Sequence, residues 1–465
     1  MNAPILWIIA PFIAGGSILL LLRERYAAYI GGSIAALLAL IAWLVPIDTA
    51  LLIGSVSLKI SPAVVFFGRS FELSPADGPL IALIYGLAAL WFFGTEASGA
   101  ADRFVPLGLM IIALLTASIA VEPFLYAALL LEMAAMLVIP LLTPSYQRPV
   151  RGVVRFLIYQ TFAMPFILFS GWMLAGVEAS PSDLGSTVQA GVMLMMGFAF
   201  LFAIFPLYNW IPQLMEEAST YPTGFLLWAL PTFTVIFALG FLDRYAWLRN
   251  TPQIADAILY AGVIMTATAG ILGALQRHLG RILGYAAIAE TGLLLIALGL
   301  RSPNLVDIVF LVLIPRGLEL SVWALALSII KQKAYPLKFS DAQGLARKYP
   351  IAVSALMIAH LSVAGFPLLA GFPSRLALWQ ELSLQSLAAS FWVFIGSSGL
   401  LVAAIRTLAA FVMAGEDSAW EINENWTQSL MLGIGILGLF AIGAFPQILQ
   451  PFLANLPALF EHLHQ

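Results

Sequence analysis

A chain of 465 residues that is 62% hydrophobic and 10% charged, with mean hydropathy +0.98, has no counterpart among water-soluble globular domains. Its net charge of −3 argues against a nucleic-acid partner, and the lack of cysteine excludes disulfides, cysteine-ligated iron–sulfur clusters and cysteine-based metal sites. Repeated long apolar runs predict an all-α integral membrane protein.

In chain order the apolar runs predict spans at 4–22, 26–45, 78–95, 104–121, 123–142, 150–175, 189–209, 222–243, 254–274, 280–300, 304–332, 349–368, 388–414 and 428–446. That makes about fourteen, each near the length a bilayer requires. The first run, Ile5 to Leu22, has no basic leader and no small-residue cleavage site, so it is expected to be a retained span. Between 46 and 77 the alternation in SVSLKISPAVVFFG predicts a short surface hairpin, with Asp77 preceding the third span. Beyond Pro446 the tail has an amphipathic pattern.

Lysine and arginine placement orients the chain. With the N-terminus outside, the inner loops collect Arg23, Arg25, Arg103, Arg148, Arg151, Arg277, Arg281, Lys331, Lys333, Lys338, Arg347 and Lys348. The outer loops keep only Lys59, Arg69, Arg244, Arg249 and Arg301. An even number of spans returns the C-terminus to the outer side of the cell (inner) membrane. The loop from Lys331 to Tyr349 is too short for a nucleotide-binding domain, and no glycine-rich phosphate loop occurs. No cofactor and no metal site is expected, and no catalytic site belonging to the chain itself. GGSI at 31–34 and AGILGAL at 269–275 are expected to be helix-packing glycines.

The run LMMGFAFLFAIFPLYNWIPQLMEEASTYPTGFLLW, from Leu194 to Trp228, starts as an apolar helix and is interrupted at Pro206 and Pro212. Two readings fit it: a plain loop between spans, or a broken membrane helix, which survives only where protein or water satisfies the freed backbone. A second interruption, GFPLLAGFPSR, runs from Gly365 to Arg375 through Pro367 and Gly371. Spans four to eight can be laid over spans nine to thirteen, one interruption in each set. This predicts two five-helix repeats, inverted because five is odd, with helices 7 and 12 broken. The expected division is 1–103 for the first helices and the hairpin, 104–245 and 250–415 for the repeats, and 416–465 for the last helix and tail.

Charges at membrane depth are costly and usually face the protein interior. Glu132 and Glu290 lie deep in the second helix of each predicted repeat. Arg316 and Glu319 stand one helical turn apart beside Pro315, placed either to neutralise each other or to serve a relay. His360 titrates in the range a proton carrier needs, though a hydrogen-bonded core histidine fits equally well. Arg375 follows the second interruption, where pairing with a carboxylate and snorkelling to the interface are both open. Arg155 and Arg406 are expected to anchor inner helix ends.

Four motifs in order now carry a resemblance: GFAFLFAIFPLYNWIP followed by YPTG, LQRHLGRILGYAAIAETG, SVAGFPLLAGFPSR, and IRTL. Together they resemble the antiporter-like membrane subunits of respiratory complex I, membrane-bound hydrogenases and Mrp-type sodium/proton antiporters, over Asp77 to Arg406. The resemblance implies a membrane-arm subunit that helps translocate protons or cations beside antiporter-like paralogues. Glu132 fills the family's glutamate of span five. The family's protonatable lysine of span seven falls on Leu201, and the histidine after it on Tyr208. The lysine of span eight falls near Thr232 or Thr234, the basic residue of span eleven near Glu319, and the terminal lysine or glutamate of span twelve on Arg375. No lysine occurs between Lys59 and Lys331, so the family's lysine relay is absent. Leucine carries no proton, and arginine effectively never releases one.

Two mechanisms follow: a rewired path through Glu132, Glu290, Glu319 and His360 with water replacing the lysines, or a non-conducting structural subunit. A different class of function is the membrane half of an inorganic-carbon (bicarbonate/CO2) uptake complex working with a cytosolic zinc protein. A stand-alone secondary transporter fits least, since no substrate-sized constellation is evident.

Overall fold

A computed structural model describes every residue except 1, 22–23, 54–55, 67, 101–102, 144–147, 180–183, 414–419 and 464–465. Arg23, assigned above to an inner loop, lies outside the described residues. Among the described residues ten helices are long and apolar enough to cross a membrane, and the chain is an all-α multi-pass membrane protein. Four shorter apolar helices stand with them, and two of these, Thr187–Leu201 and Pro350–Val363, stop early because the chain breaks there.

A π-helical turn at Ile5–Ile9 leads into α1 (Ala10–Leu21), followed by α2 (Glu24–Leu44). Two hairpins, not the single one predicted, then connect to the third span. Strand β1 (Ala50–Ile53) pairs with β2 (Val56–Lys59), and β3 (Ala63–Phe66) pairs with β4 (Arg69–Glu72). The apparent continuous alternation is divided at Pro62, which has no N–H to give a ladder and whose carbonyl accepts instead from Leu73 N–H. Strand β5 (Val121–Glu122) adds to β4, tying this surface cap to the end of the fourth span.

The helices α3 (Asp77–Ser98), α4 (Phe104–Ala120), α5 (Ala127–Leu142) and α6 (Arg151–Ala179) lead to α7 (Leu184–Leu201) and α8 (Trp210–Glu217). Next come α9 (Thr220–Arg244), the short α10 (Ala246–Arg249), α11 (Pro252–Leu275), α12 (Leu279–Gly299) and α13 (Leu305–Lys331). The short α14 (Leu345–Lys348) precedes α15 (Pro350–Val363), α16 (Gly371–Gln385), α17 (Leu387–Val412) and α18 (Trp426–Ala444). Helix α16 lies between two predicted spans and was counted in neither, because Arg375, Gln380, Glu381 and Gln385 dilute its hydropathy.

The spans are not equivalent. In α12 and α13, 94% of the apolar window is buried, against 22% in α18, so polar groups on α12 and α13 meet protein and not lipid. The predicted packing glycine Gly270 brings α11 against α17: a Cβ there would sit 2.6 Å from the Cα of Gly396. Close backbone approach of this kind holds membrane helices together where hydrophobicity cannot.

At the start of α12 the buried His278 caps the helix, its Nδ1 accepting from Arg281 N–H at 3.4 Å. Burial holds this imidazole below its ordinary pKa, ahead of smaller opposing contributions from Glu216 and Pro336. A histidine depressed in the folded state binds fewer protons than in the unfolded chain, so its contribution is lost as pH falls through about 6.5. The purified protein should therefore melt at a lower temperature at pH 5.5 than at pH 7.5, and His278→Asn, which keeps a capping oxygen, should flatten that difference. An equal pH slope in both proteins would show that His278 does not set it.

Candidate functional site

The second interruption is where the buried charges meet. Helix α15 ends at Val363 and α16 begins at Gly371. Gly365 takes the left-handed conformation with φ +82°, and its missing side chain leaves room for Arg375, whose Nε would lie 3.1 Å from a Cβ there. Arg375, only 2% exposed, reaches back to Glu290 on α12 at 2.5 Å and to the carbonyl of Val363, one of those freed by the end of α15. Of the two placements open for Arg375, the pair with a carboxylate is the one formed. Gly371 and Pro373 belong to the first turn of α16, where proline is tolerated, so the unwound part is 364–370 and includes Gly365 and Pro367.

Glu319 faces the same point from α13. It accepts from Ser362 Oγ at 2.6 Å, and that oxygen accepts from Gly371 N–H at 3.0 Å, so the carboxylate supports the first turn of α16 through one hydroxyl. Arg316 is fully buried, and its Nη2 donates to the Leu227 carbonyl at 2.8 Å and to Thr291 Oγ1 at 3.0 Å. The i,i+3 ion pair with Glu319 is not formed among the described residues, because each partner is drawn to a different helix. Both carboxylates lie within electrostatic reach of both guanidiniums, giving a buried quartet of two carboxylates and two guanidiniums that is formally neutral.

The first interruption lies beside Arg316. Helix α7 ends at Leu201, residues 202–209 run through turns that include Pro206 and a short 3₁₀ segment, and α8 begins at Trp210. Pro212 therefore does not interrupt a helix, as the sequence suggested; it sits in the first turn of α8, where its missing N–H has no helical partner to lose. Gln160 on α6 donates its Nε2 to the Leu201 carbonyl at 3.5 Å. A cavity of about 20 Å³, room for about one water molecule, is lined by Gln160, Leu201, Trp210, Thr291 and Arg316 among others. Trp210 Nε1 and Arg316 Nε and Nη1 have no hydrogen-bond partner among the described residues. Donors outnumber acceptors here, which suits an oxygen with lone pairs to offer.

Glu132 stands apart from the quartet, 7% exposed on α5, with Oε1 accepting from Thr161 Oγ1 at 2.6 Å and Oε2 without a partner among the described residues. Thr161 precedes nothing unusual in sequence, but it follows Gln160, so α6 places one polar group against Glu132 and the next against the cavity. His360 is fully buried with its ring centroid 4.2 Å from that of Trp323, and it faces the backbone of Leu400 on α17. Tyr208 donates to Thr268 Oγ1 at 3.0 Å, while Thr232 and Thr234 bond back to carbonyls of their own helix, at 2.7 and 2.8 Å. Sequence reasoning passed over Gln160, Thr161, Thr291 and Ser362. Their one signal was a short polar side chain in the middle of an apolar run.

Residues 179–405 match the family profile of the transmembrane region of NADH:quinone oxidoreductase and Mrp antiporters. The match covers just under half of the chain. Over more of the chain, NADH-quinone oxidoreductase subunit 14 of Thermus thermophilus is 26% identical across 90% of this chain and 96% of its own length. Subunit N of Desulforudis audaxviator is 26% identical across 90% and 86%, and subunit N of Dehalococcoides mccartyi is 27% identical across 63% of each chain. A chain of respiratory complex I from Thermus thermophilus superposes with a TM-score of 0.79 at 16% identity, covering 99% of this chain and 100% of that one. A chain of the Mrp complex from Dietzia sp. gives 0.77 at 14% identity, covering 100% and 99%. The resemblance to antiporter-like membrane subunits is borne out, and at these identities the structures establish the shared fold.

The buried pair makes a quantitative prediction. Glu290→Gln or Arg375→Met alone leaves one uncompensated buried charge and should destabilise by about 3 kcal/mol or more. The double variant should recover most of that loss, measured by thermal unfolding of the purified protein. Simple additivity of the two losses would show that the residues are not coupled.

Proposed function

We infer that this antiporter-like chain is a membrane-arm subunit of a complex I-like or Mrp-like assembly, and we propose that it moves protons by a path without lysine. The observation that carries the path is the buried polar seam from Glu132 and Thr161 on α5 and α6, past Gln160 and the cavity at Leu201, to Arg316, Glu290, Arg375 and Glu319. The proton-carrying groups are Glu132, Glu290 and Glu319, with His360 beyond Glu319 on the neighbouring helix. Arg316 and Arg375 hold their charge throughout and fix the carboxylates and a water at the cavity in position.

The inverted pair of units at 104–245 and 250–415 forms part of this proposal, supported by one break in each. So does the orientation with both termini on the outer side of the inner membrane, supported by the lysine and arginine bias. Neighbouring antiporter-like subunits are the proposed partners. The face of α5 and α6 next to Glu132, with Met133, Met136, Phe162 and Trp172 exposed, is where one would seat. The non-conducting reading has one observation in its favour: Glu290 is already paired with Arg375 at 2.5 Å. Membership of an inorganic-carbon complex would instead require a cytosolic zinc protein bound to the inner loops.

Glu132→Gln separates these readings. The proton path requires it to abolish proton flux in reconstituted vesicles while the subunit still copurifies with its assembly; full flux in that variant would sink the path. Leu201→Lys tests the rewiring from the other side. Its ammonium would enter the cavity beside the Arg316 guanidinium, so it should lower the melting temperature and not raise flux.

A further inference from the structure

We propose that the groove between the C-terminal ends of α11 and α17 binds the phosphate headgroup of an anionic phospholipid. The groove measures about 750 Å³, and Arg277, Lys338 and Arg406 line it from three separate segments. It is built by the backbone. Phe339 N–H donates to the Arg277 carbonyl at 2.9 Å and Leu279 N–H to the Leu337 carbonyl at 3.0 Å, a short antiparallel bridge that fixes Arg277 beside Lys338. Arg406 closes the third side, bonded to the Ala274 carbonyl in the last turn of α11, with its guanidinium carbon 5.6 Å from the centre of the Phe339 ring. Among the described residues no carboxylate lines the groove; Asp341, nearby, accepts from the Lys338 N–H at 3.1 Å and the Ser340 hydroxyl at 3.3 Å.

Position decides between a lipid and a soluble anion. Leu275, Leu408, Val412 and Met413 are all exposed at the ends of the same two helices, so an apolar wall continues from the cationic groove along the membrane-facing side. A headgroup phosphate in the groove would leave its acyl chains lying on that wall. Cationic recesses between helix ends are suited to such headgroups, each lysine or arginine contributing a modest attraction. A free phosphate gains nothing from the wall.

The test uses the full purified protein in detergent, with native mass spectrometry to count bound lipid. Phosphatidylglycerol should be retained about tenfold better than phosphatidylcholine of the same chain length. Arg277→Gln/Lys338→Gln, both at exposed positions, should abolish that preference. Arg301→Gln, an exposed arginine at the opposite end of the helices, should keep it. Equal retention of the two lipids by the wild type, or an unchanged preference in the double variant, would overturn the proposal. Displacement of phosphatidylglycerol by inorganic phosphate at equal concentration would overturn it too, by showing a soluble-anion site.

Discussion

A helix that stops inside a bilayer frees backbone groups which lipid cannot satisfy, so every break must be met by protein or water. In this protein the buried charged and polar side chains meet that need. Arg375 takes up the Val363 carbonyl at the end of α15, and Ser362, held by Glu319, takes up the Gly371 N–H at the start of α16. At the other break Gln160 reaches the Leu201 carbonyl from α6. The interruptions and the polar seam are therefore one construction: remove the charges and the breaks lose their support.

The same groups set the electrostatics. Two guanidiniums and two carboxylates balance formally in a buried region, and adding one proton to either carboxylate leaves a surplus positive charge there. Arginine is suited to such a place because its charge is fixed and its fork reaches several acceptors at once. Arg316 shows this, joining the Leu227 carbonyl on α9 to Thr291 on α12 through a single nitrogen while its other nitrogens remain beside the cavity. A lysine relay works by an amine changing charge. Here the cations are constant and only the carboxylates are left to change.

Much of the architecture was legible in the sequence, for a simple reason. Membrane spans announce themselves by composition, and the deep charges stand out because so few occur. The surface strands were misjudged at Pro62, where alternation continues in sequence though the ladder cannot. Pro206, Gly365 and Pro367 fall inside the breaks, but Pro212 and Gly371 lie in the first turns of the helices that follow, while the ends of α7 and α15 fall at Leu201 and Val363, residues with no breaking tendency. Helix α16 was overlooked because the side chains that give it a role also lower its hydropathy.

Hydropathy and charge spacing by themselves determined that this is a many-spanned helical membrane protein with Glu132, Glu290, Arg316, Glu319, His360 and Arg375 at depth, since each of these facts depends on local residue type. Who pairs with whom was decided only in three dimensions. Glu290 meets Arg375 across 85 positions, and Arg316 turns away from the glutamate one turn along its own helix toward a carbonyl 89 positions earlier. A buried charge takes the partner that packing brings within reach, and packing between distant helices leaves no trace in the spacing of residues along one of them.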